Sequence, residues 1–380
     1  MFQKKRTLFI VGCMLLVLLC SACGETTADI VITNAESIAQ EEVTTVEEVT
    51  IDGITYMDYK GPVQGEIKYQ EGRPADENAT VQKASGDIGS PYQVELIVTN
   101  NYGHQEMFNK EVGLVKDEVG MEVLFRNLDI ATAYGGGFVN EINGLESGFT
   151  FYTGEERRKE DWFYWVNGIL APVGVAEYRP QPGDVIWWDY HDWSVAMFIP
   201  AVVGSYPQPF KNGFWGKVSD TVILYEETFK DDAVALQESL LSSGVSVVTT
   251  TEYTPDLLQD PDRYVIALGS WSELSNESDF LKTINKKNKM VGVYGKFTDK
   301  GLSTIDFKGQ VIETYSKEAG LIYAHSPGIN ALKPFWCITG VDDKGVRSAV
   351  DVLINTPEKI QQMFSVVVTS NEIVNCPYVE

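Results

Sequence analysis

Residues that build metal centres are scarce in this chain, which has three histidines and five cysteines among 380 residues. Cys13, Cys20 and Cys23 fall in the first 23 residues, leaving only Cys337 and Cys376 further on. That set is too small and too scattered for a structural zinc site. Positive charge is also short: 30 Lys and Arg stand against 54 Asp and Glu, a formal net charge of −24. Beyond Lys4-Lys5-Arg6 there is no basic tract. Neutralising phosphates takes clustered Lys and Arg, so nucleic acid is excluded as a partner. The acidity reads as solubility and repulsion from anionic surfaces. There is no G-x-G-x-x-G or Walker-type phosphate cradle and no G-x-S-x-G elbow. No apolar run reaches the roughly 20 residues a helix needs to span a bilayer.

What is present begins at the N-terminus. The basic patch is followed by an apolar run at residues 8–19, the layout of a secretory signal. The run ends in Ser21-Ala22-Cys23-Gly24, which resembles the lipobox of bacterial lipoproteins, although Cys20 stands where that pattern usually has Leu. The resemblance implies diacylglycerol on the Cys23 thiol, a palmitate-type anchor and cleavage that leaves Cys23 first. The chain would then sit at the cell membrane, lipid-anchored and facing outside the cytoplasm. The other reading is an ordinary signal cleaved near Ala22. Each buried methylene contributes roughly 0.8 kcal/mol, so two or more chains hold a protein stably at a membrane. In an oxidising compartment Cys337 and Cys376 are an even pair, read either as a disulfide or as two separate buried thiols.

Five segments follow from composition and periodicity: the signal (1–23), an acidic low-complexity tether (24–90), a small domain (91–200), a Pro- and Gly-containing linker (201–217) and a larger domain (218–380). The tether holds 14 acidic residues against 4 basic and few aromatics. It can bury too little to offset the entropy of ordering, apart from a short strand pair expected within 51–69. In the small domain Val94, Leu96 and Val98 alternate as a half-buried strand. A second strand is expected at 107–112, and a helix over 118–128. Short strands punctuated by Asn143-Gly144, Asn167-Gly168 and Pro182-Gly183 complete an α+β, mostly β unit. In the larger domain, buried-strand runs at 222–225, 245–248, 264–268, 290–294, 321–324 and 336–341 alternate with helices at 231–241, 277–287 and 344–353. Residues 364–368 read as an edge strand. That rhythm predicts an α/β domain with a mainly parallel sheet covered on both faces.

The most specific text is Trp162-Phe163-Tyr164-Trp165-Val166-Asn167-Gly168, followed by Pro182-Gly183-Asp184-Val185-Ile186-Trp187-Trp188-Asp189-Tyr190. With Gly137-Phe138-Val139 and Ile142-Asn143-Gly144 before it, this stretch (about 92–195) resembles the small domain of bacterial lipoproteins similar to the C-terminal domain of transcobalamin and intrinsic factor. The resemblance implies that a planar ligand such as cobalamin could lie against an aromatic surface. However, no α-barrel partner domain is present to close over it. On alternation alone, Trp162, Tyr164 and Val166 take one face of a strand and Phe163 and Trp165 the other; Trp187 and Trp188 likewise diverge. At least one set is core, and the other is a candidate solvent-facing platform. The candidate ligand-binding residues are therefore Trp162, Tyr164, Trp165, Asn167, Trp187, Trp188, Tyr190 and, across a cleft between the domains, Trp271.

Two function classes follow. The first is a membrane-anchored binding or interaction module for a small planar ligand, a surface protein or a glycan. The second is a corrinoid-capture lipoprotein serving an uptake system. No cofactor is firmly implied; cobalamin is the one in view. An enzyme is the weakest reading. Ser270 or Ser326 with His325 would make a hydrolase only if they converged, and neighbouring side chains diverge. Glu226, Asp342 and Asp343 read as a cation site or, for the last two, as a helix cap. His191 reads as a surface-loop histidine or, if exposed and backed by a carboxylate, as a metal ligand. His104 lies in a polar turn.

Overall fold

A computed structural model describes residues 48–51, 54–57, 81–134 and 136–379. The signal, Cys23 and most of the tether lie outside the described residues. Strands β1 (Glu48–Ile51) and β2 (Ile54–Met57) pair antiparallel with each other as a two-stranded sheet. Residues 47–380 group as one compact unit.

The first half is mostly β. Strands β3 (Gln93–Asn100) and β4 (Gln105–Gly113) form a hairpin, and helix α1 (Gly120–Asn127) follows. Strands β5 (Ile130–Ala133), β6 (Phe138–Ile142) and β7 (Leu145–Glu146) make a small antiparallel sheet. Strands β8 (Glu160–Val166), β9 (Ile169–Leu170) and β10 (Val185–Asp192) join the first hairpin in a five-stranded sheet of order β4-β3-β10-β8-β9. The period-2 alternation predicted for β8 and β10 holds, but neither face is a platform. Trp162, Tyr164, Ile186 and Trp188 pack with α1 in one core. Trp165 and Trp187 point the other way, into a second core shared with the C-terminal half. A sheet buried on both faces has no exposed aromatic side.

The second half contains β11 (Thr221–Tyr225), α2 (Lys230–Ser242), β12 (Val248–Glu252), β13 (Tyr264–Ser270), α3 (Trp271–Asn276) and α4 (Asp279–Lys287). A three-stranded sheet of β14 (Gly295–Thr298), β15 (Gly301–Ile305) and β16 (Val311–Tyr315) comes next. Then come β17 (Ala319–His325), β18 (Phe335–Gly340), α5 (Asp343–Asn355), β19 (Ser365–Thr369) and β20 (Ile373–Cys376). The main sheet has the order β12-β11-β13-β18-β17-β19-β20. It is parallel from β12 to β18 and antiparallel from β18 to β20. It is therefore a mixed, partly parallel sheet, because β17 to β20 include short antiparallel returns that need no helical crossover. One face (Ile223, Ile266, Ile322, Ile338, Val366) is covered by α2 and α5. The other (Val222, Val265, Leu321, Cys337, Val367) meets α3, α4 and the aromatic face of the first half.

Several boundaries differ from the sequence reading. The run expected as an edge strand at 364–368 is β19, an interior strand, and β20 is the edge. The strand expected at 290–294 is absent: Asn288–Met290 is a 3-10 turn, and Val293 and Tyr294 are buried in irregular backbone. The helix expected at 277–287 is α4, and the short α3 before it was not expected; Ser270 and Ser278 start the two by accepting backbone N–H groups. The stretch at 201–217 is no exposed link. Val202, Tyr206, Phe210, Phe214 and Trp215 are buried in the cores on either side.

Of the two readings for Cys337 and Cys376, the disulfide is corrected and the separate thiols stand: both are buried and free. Cys337 lies on β18 and Cys376 on β20, with β17 and β19 between them. Three strand spacings put them roughly 14 Å apart, beyond the ~7 Å that a disulfide bridges.

Candidate functional site

Two buried carboxylates organise the aromatic strands, and neither was singled out from the sequence. Asp184, fully buried at the start of β10, accepts from the Gln181 backbone N–H (2.8 Å), Asn167 Nδ2 (2.8 Å) and the Tyr178 hydroxyl (2.5 Å). Burial raises its pKa against the lowering pull of those donors. Asn167 also donates to the Gly213 carbonyl and accepts from the Val185 N–H. Asn167 thus ties the β8–β9 turn, the start of β10 and the 201–217 segment together. It is a structural knot, not a ligand donor.

Asp189 shares a face of β10 with Trp187 and His191. Its carboxylate accepts from Thr99 Oγ1 (2.6 Å), His191 Nδ1 (2.8 Å) and the backbone N–H groups of Tyr102 (3.1 Å) and Gly103 (2.8 Å). This holds the 100–103 turn, in which Asn101 and Tyr102 both have positive φ. Gly103 is required there, because a Cβ would lie 1.8 Å from the Gln362 carbonyl oxygen. The turn drives Tyr102 into the shared core against His191, Phe307 and Phe364. His191, expected in a surface loop, is buried between Tyr102 and Phe163, which rules out the exposure a metal ligand needs. Asp161, directly across from His191, is pushed up to about 6 by burial, against the lowering pull of its hydrogen bonds and of His191.

The same turn staples the two halves. Asn375 Nδ2 donates to the Tyr102 carbonyl, and His104 Nε2 meets the Pro377 carbonyl at 2.8 Å. Trp165 Nε1 donates to Ile199 and Trp187 Nε1 to Thr99 Oγ1. Both rings are fully buried and stand edge-on to Phe364. Truncating either indole to alanine costs about 3–5 kcal/mol. They hold the fold and touch no solvent.

Three other predicted residues do converge. Trp162, Tyr164 and Trp188 line one side of a cleft of about 250 Å³, with Phe138, Phe198 and Ile329 also lining it. Phe198 and Ile329 come from the loops after β10 and β17, so the cleft spans the boundary between the halves. Tyr164 and Trp188 stack at 4.7 Å, 14° from parallel. The Tyr164 hydroxyl donates to Val173 and Trp162 Nε1 to Leu145, whereas the buried Trp188 Nε1 has no partner. Tyr190 packs edge-on to Trp162 but does not line the cleft. Trp271 stacks on Phe297 (4.5 Å) in the C-terminal half and does not line it either. Sequence reasoning missed Phe198 and Ile329. The apolar Ala196-Met197-Phe198 following a strand was the available signal for Phe198.

The residues weighed for catalysis stay apart. Ser270 pairs with Gly340 at one end of β18, and His325 pairs with Phe335 at the other. Ser270 Oγ donates to Glu226, and Ser326 Oγ to the Ala331 carbonyl. Asp342 caps α5 by accepting from Gly345 N–H and also accepts from Glu318 N–H, which favours the helix-cap reading.

Residues 117–192, from just before α1 to the end of β10, match the family described as "Domain of unknown function (DUF4430)". The chain therefore carries a DUF4430 domain, which contains Asp184, Asp189 and most of the cleft lining, whereas Thr99, Tyr102 and Gly103, which donate to Asp189, lie before it. No curated protein matches the chain.

Proposed function

We propose that this is a non-enzymatic extracytoplasmic protein, tethered through lipid on Cys23, whose DUF4430 domain is an interaction module that takes up one apolar side chain of a partner protein. The cleft beside Trp162, Tyr164 and Trp188 carries the reading. Its rim includes Phe198, 42% exposed, beside Met197, 57% exposed. Partner anchors typically bury in such small aromatic pockets, which supply most of the binding energy. A glycan finds little there to bond, because the Trp162 and Tyr164 polar atoms are already partnered. The cleft also falls below the roughly 300–1,000 Å³ of sites for drug-sized molecules, and a corrinoid is larger still. Tyr164 and Trp188 stack on each other, so one face of each ring is already taken. These residues do not fit cobalamin.

The test uses the chain from Gly24 onward with ¹⁵N-labelled tryptophan indoles. The Trp188 resonance is assigned by Trp188→Phe, and p-cresol serves as a side-chain surrogate. A saturable shift of the Trp188 signal, weakened at least tenfold by Phe138→Asp, supports the reading. A silent Trp188 signal, or a shift indifferent to Phe138→Asp, rejects it.

A further inference from the structure

A second pair of clefts lies in the C-terminal half, at the end of the main sheet opposite Ser270 and Gly340. One, of about 430 Å³, is lined by Leu258, Val265, Leu332 and Phe335 among others. The other, of about 320 Å³, is lined by Phe198, Ile284, Lys287, Met290 and Val291 among others. Phe280, His325 and Pro327 line both, so the two clefts adjoin across these three residues, here termed the waist.

His325 is the polar group at that waist. It is 8% exposed, and its buried Nδ1 has no hydrogen-bond partner. Leaving a buried polar atom unsatisfied is costly, and an occupant's oxygen would recover that cost. Charge at the mouths is uneven. In the larger cleft Arg263 is paired with Asp260, and Lys333 Nζ donates to the Pro261 and Asp262 carbonyls. In the smaller cleft Lys287 is exposed and forms no ion pair among the described residues, with exposed Lys286 beside it. Met290, 54% exposed, and Phe198 form apolar lips around that cation. In a chain of net charge −24, a free lysine on an apolar cleft is a local reversal of sign.

From this we infer that the two clefts form one binding site for a single-chain amphiphile with an anionic head. The head pairs with Lys287 between the Met290 and Phe198 lips. An oxygen of the same head meets His325 at the waist. The hydrocarbon tail continues past Phe280 and Pro327 against Leu258, Val265, Leu332 and Phe335. The waist selects a slender chain over a fused ring system, and the unpaired cation selects an acid over a neutral lipid. Occupancy of this site does not depend on the cleft beside Trp188, although Phe198 borders both.

The experiment titrates the chain from Gly24 onward with cis-parinaric acid, followed by its fluorescence, and then displaces the probe with oleic acid or oleyl alcohol. The expected result is saturable binding of one probe per chain. Lys287→Glu should weaken oleate at least tenfold while leaving oleyl alcohol unchanged, and Leu332→Trp should weaken both. Phe138→Asp, which disables the other cleft, should change neither. Absence of saturable probe binding, or equal oleate affinity in Lys287→Glu, overturns the inference.

Discussion

Two buried titratable groups should pull stability in opposite directions with pH, and single substitutions should separate them. Burial lifts the Asp161 carboxyl from its ordinary 3.8 to about 6, opposed by the Trp162 N–H, Ser147 and His191. Burial alone lowers the His325 imidazole from 6.5 to about 4. Between pH 4 and 6 the unfolded chain has already lost the Asp161 proton that the folded chain keeps. The unfolded state binds fewer protons, so this group makes stability fall as pH rises, with the full penalty above pH 6. At 1.36 kcal/mol per pH unit, the interval is worth about 3 kcal/mol. For His325 the signs reverse. Between pH 4 and 6.5 the unfolded chain takes up a proton that the folded chain refuses, so stability rises with pH and is lost on acidification, again by about 3 kcal/mol. The wild type should show the two nearly cancelling over pH 4–6. Relative to wild type, Asp161→Asn should gain about 3 kcal/mol between pH 4 and pH 7, and His325→Gln should gain about as much between pH 7 and pH 4. Urea unfolding followed by tryptophan fluorescence at four pH values reads both slopes. Stability differences that stay constant with pH would refute the reasoning.

The cysteines offer a direct check on the sheet order. Burial pushes both thiols up to about 12, and two intervening strands separate them. The native chain from Gly24 onward should therefore be inert to a thiol reagent, expose two thiols on unfolding without reductant, and run identically on reducing and non-reducing gels. A mobility shift on reduction would contradict the order β18-β17-β19-β20. At the N-terminus, labelled palmitate should enter the full-length chain in a Gram-positive host and be lost in Cys23→Ala; retention of label in that variant would move the anchor elsewhere.

Periodicity carried much of the fold, and its failures have identifiable causes. Alternation in Trp162–Trp165 and Trp187-Trp188 divided the side chains correctly between two faces. Alternation cannot say whether a second layer covers the outer face, and here the C-terminal half covers it. The segment 201–217 looked like a linker because Pro and Gly usually mark exposed turns, yet its apolar residues fill the seam. The antiparallel half of the main sheet was hidden because buried strands of either direction share the same apolar composition. The roles of Asp184 and Asp189 went unread, although a carboxylate such as Asp189 inside an aromatic strand must find donors. The donors come from turns far away in sequence, and only the fold brings them together. The cleft was half legible: Trp162, Tyr164 and Trp188 were named, while Phe198 and Ile329 reach it from the loops after β10 and β17.

The account turns on whether the aromatic strands are core with one small side-chain cleft or a platform for a flat cofactor. The Trp188 indole resonance of the chain from Gly24 onward, titrated side by side with p-cresol and with hydroxocobalamin, tests this most directly. The account predicts a saturable shift with p-cresol and none with hydroxocobalamin. Saturable one-to-one hydroxocobalamin binding that moves Trp188 while p-cresol leaves it unchanged would contradict it.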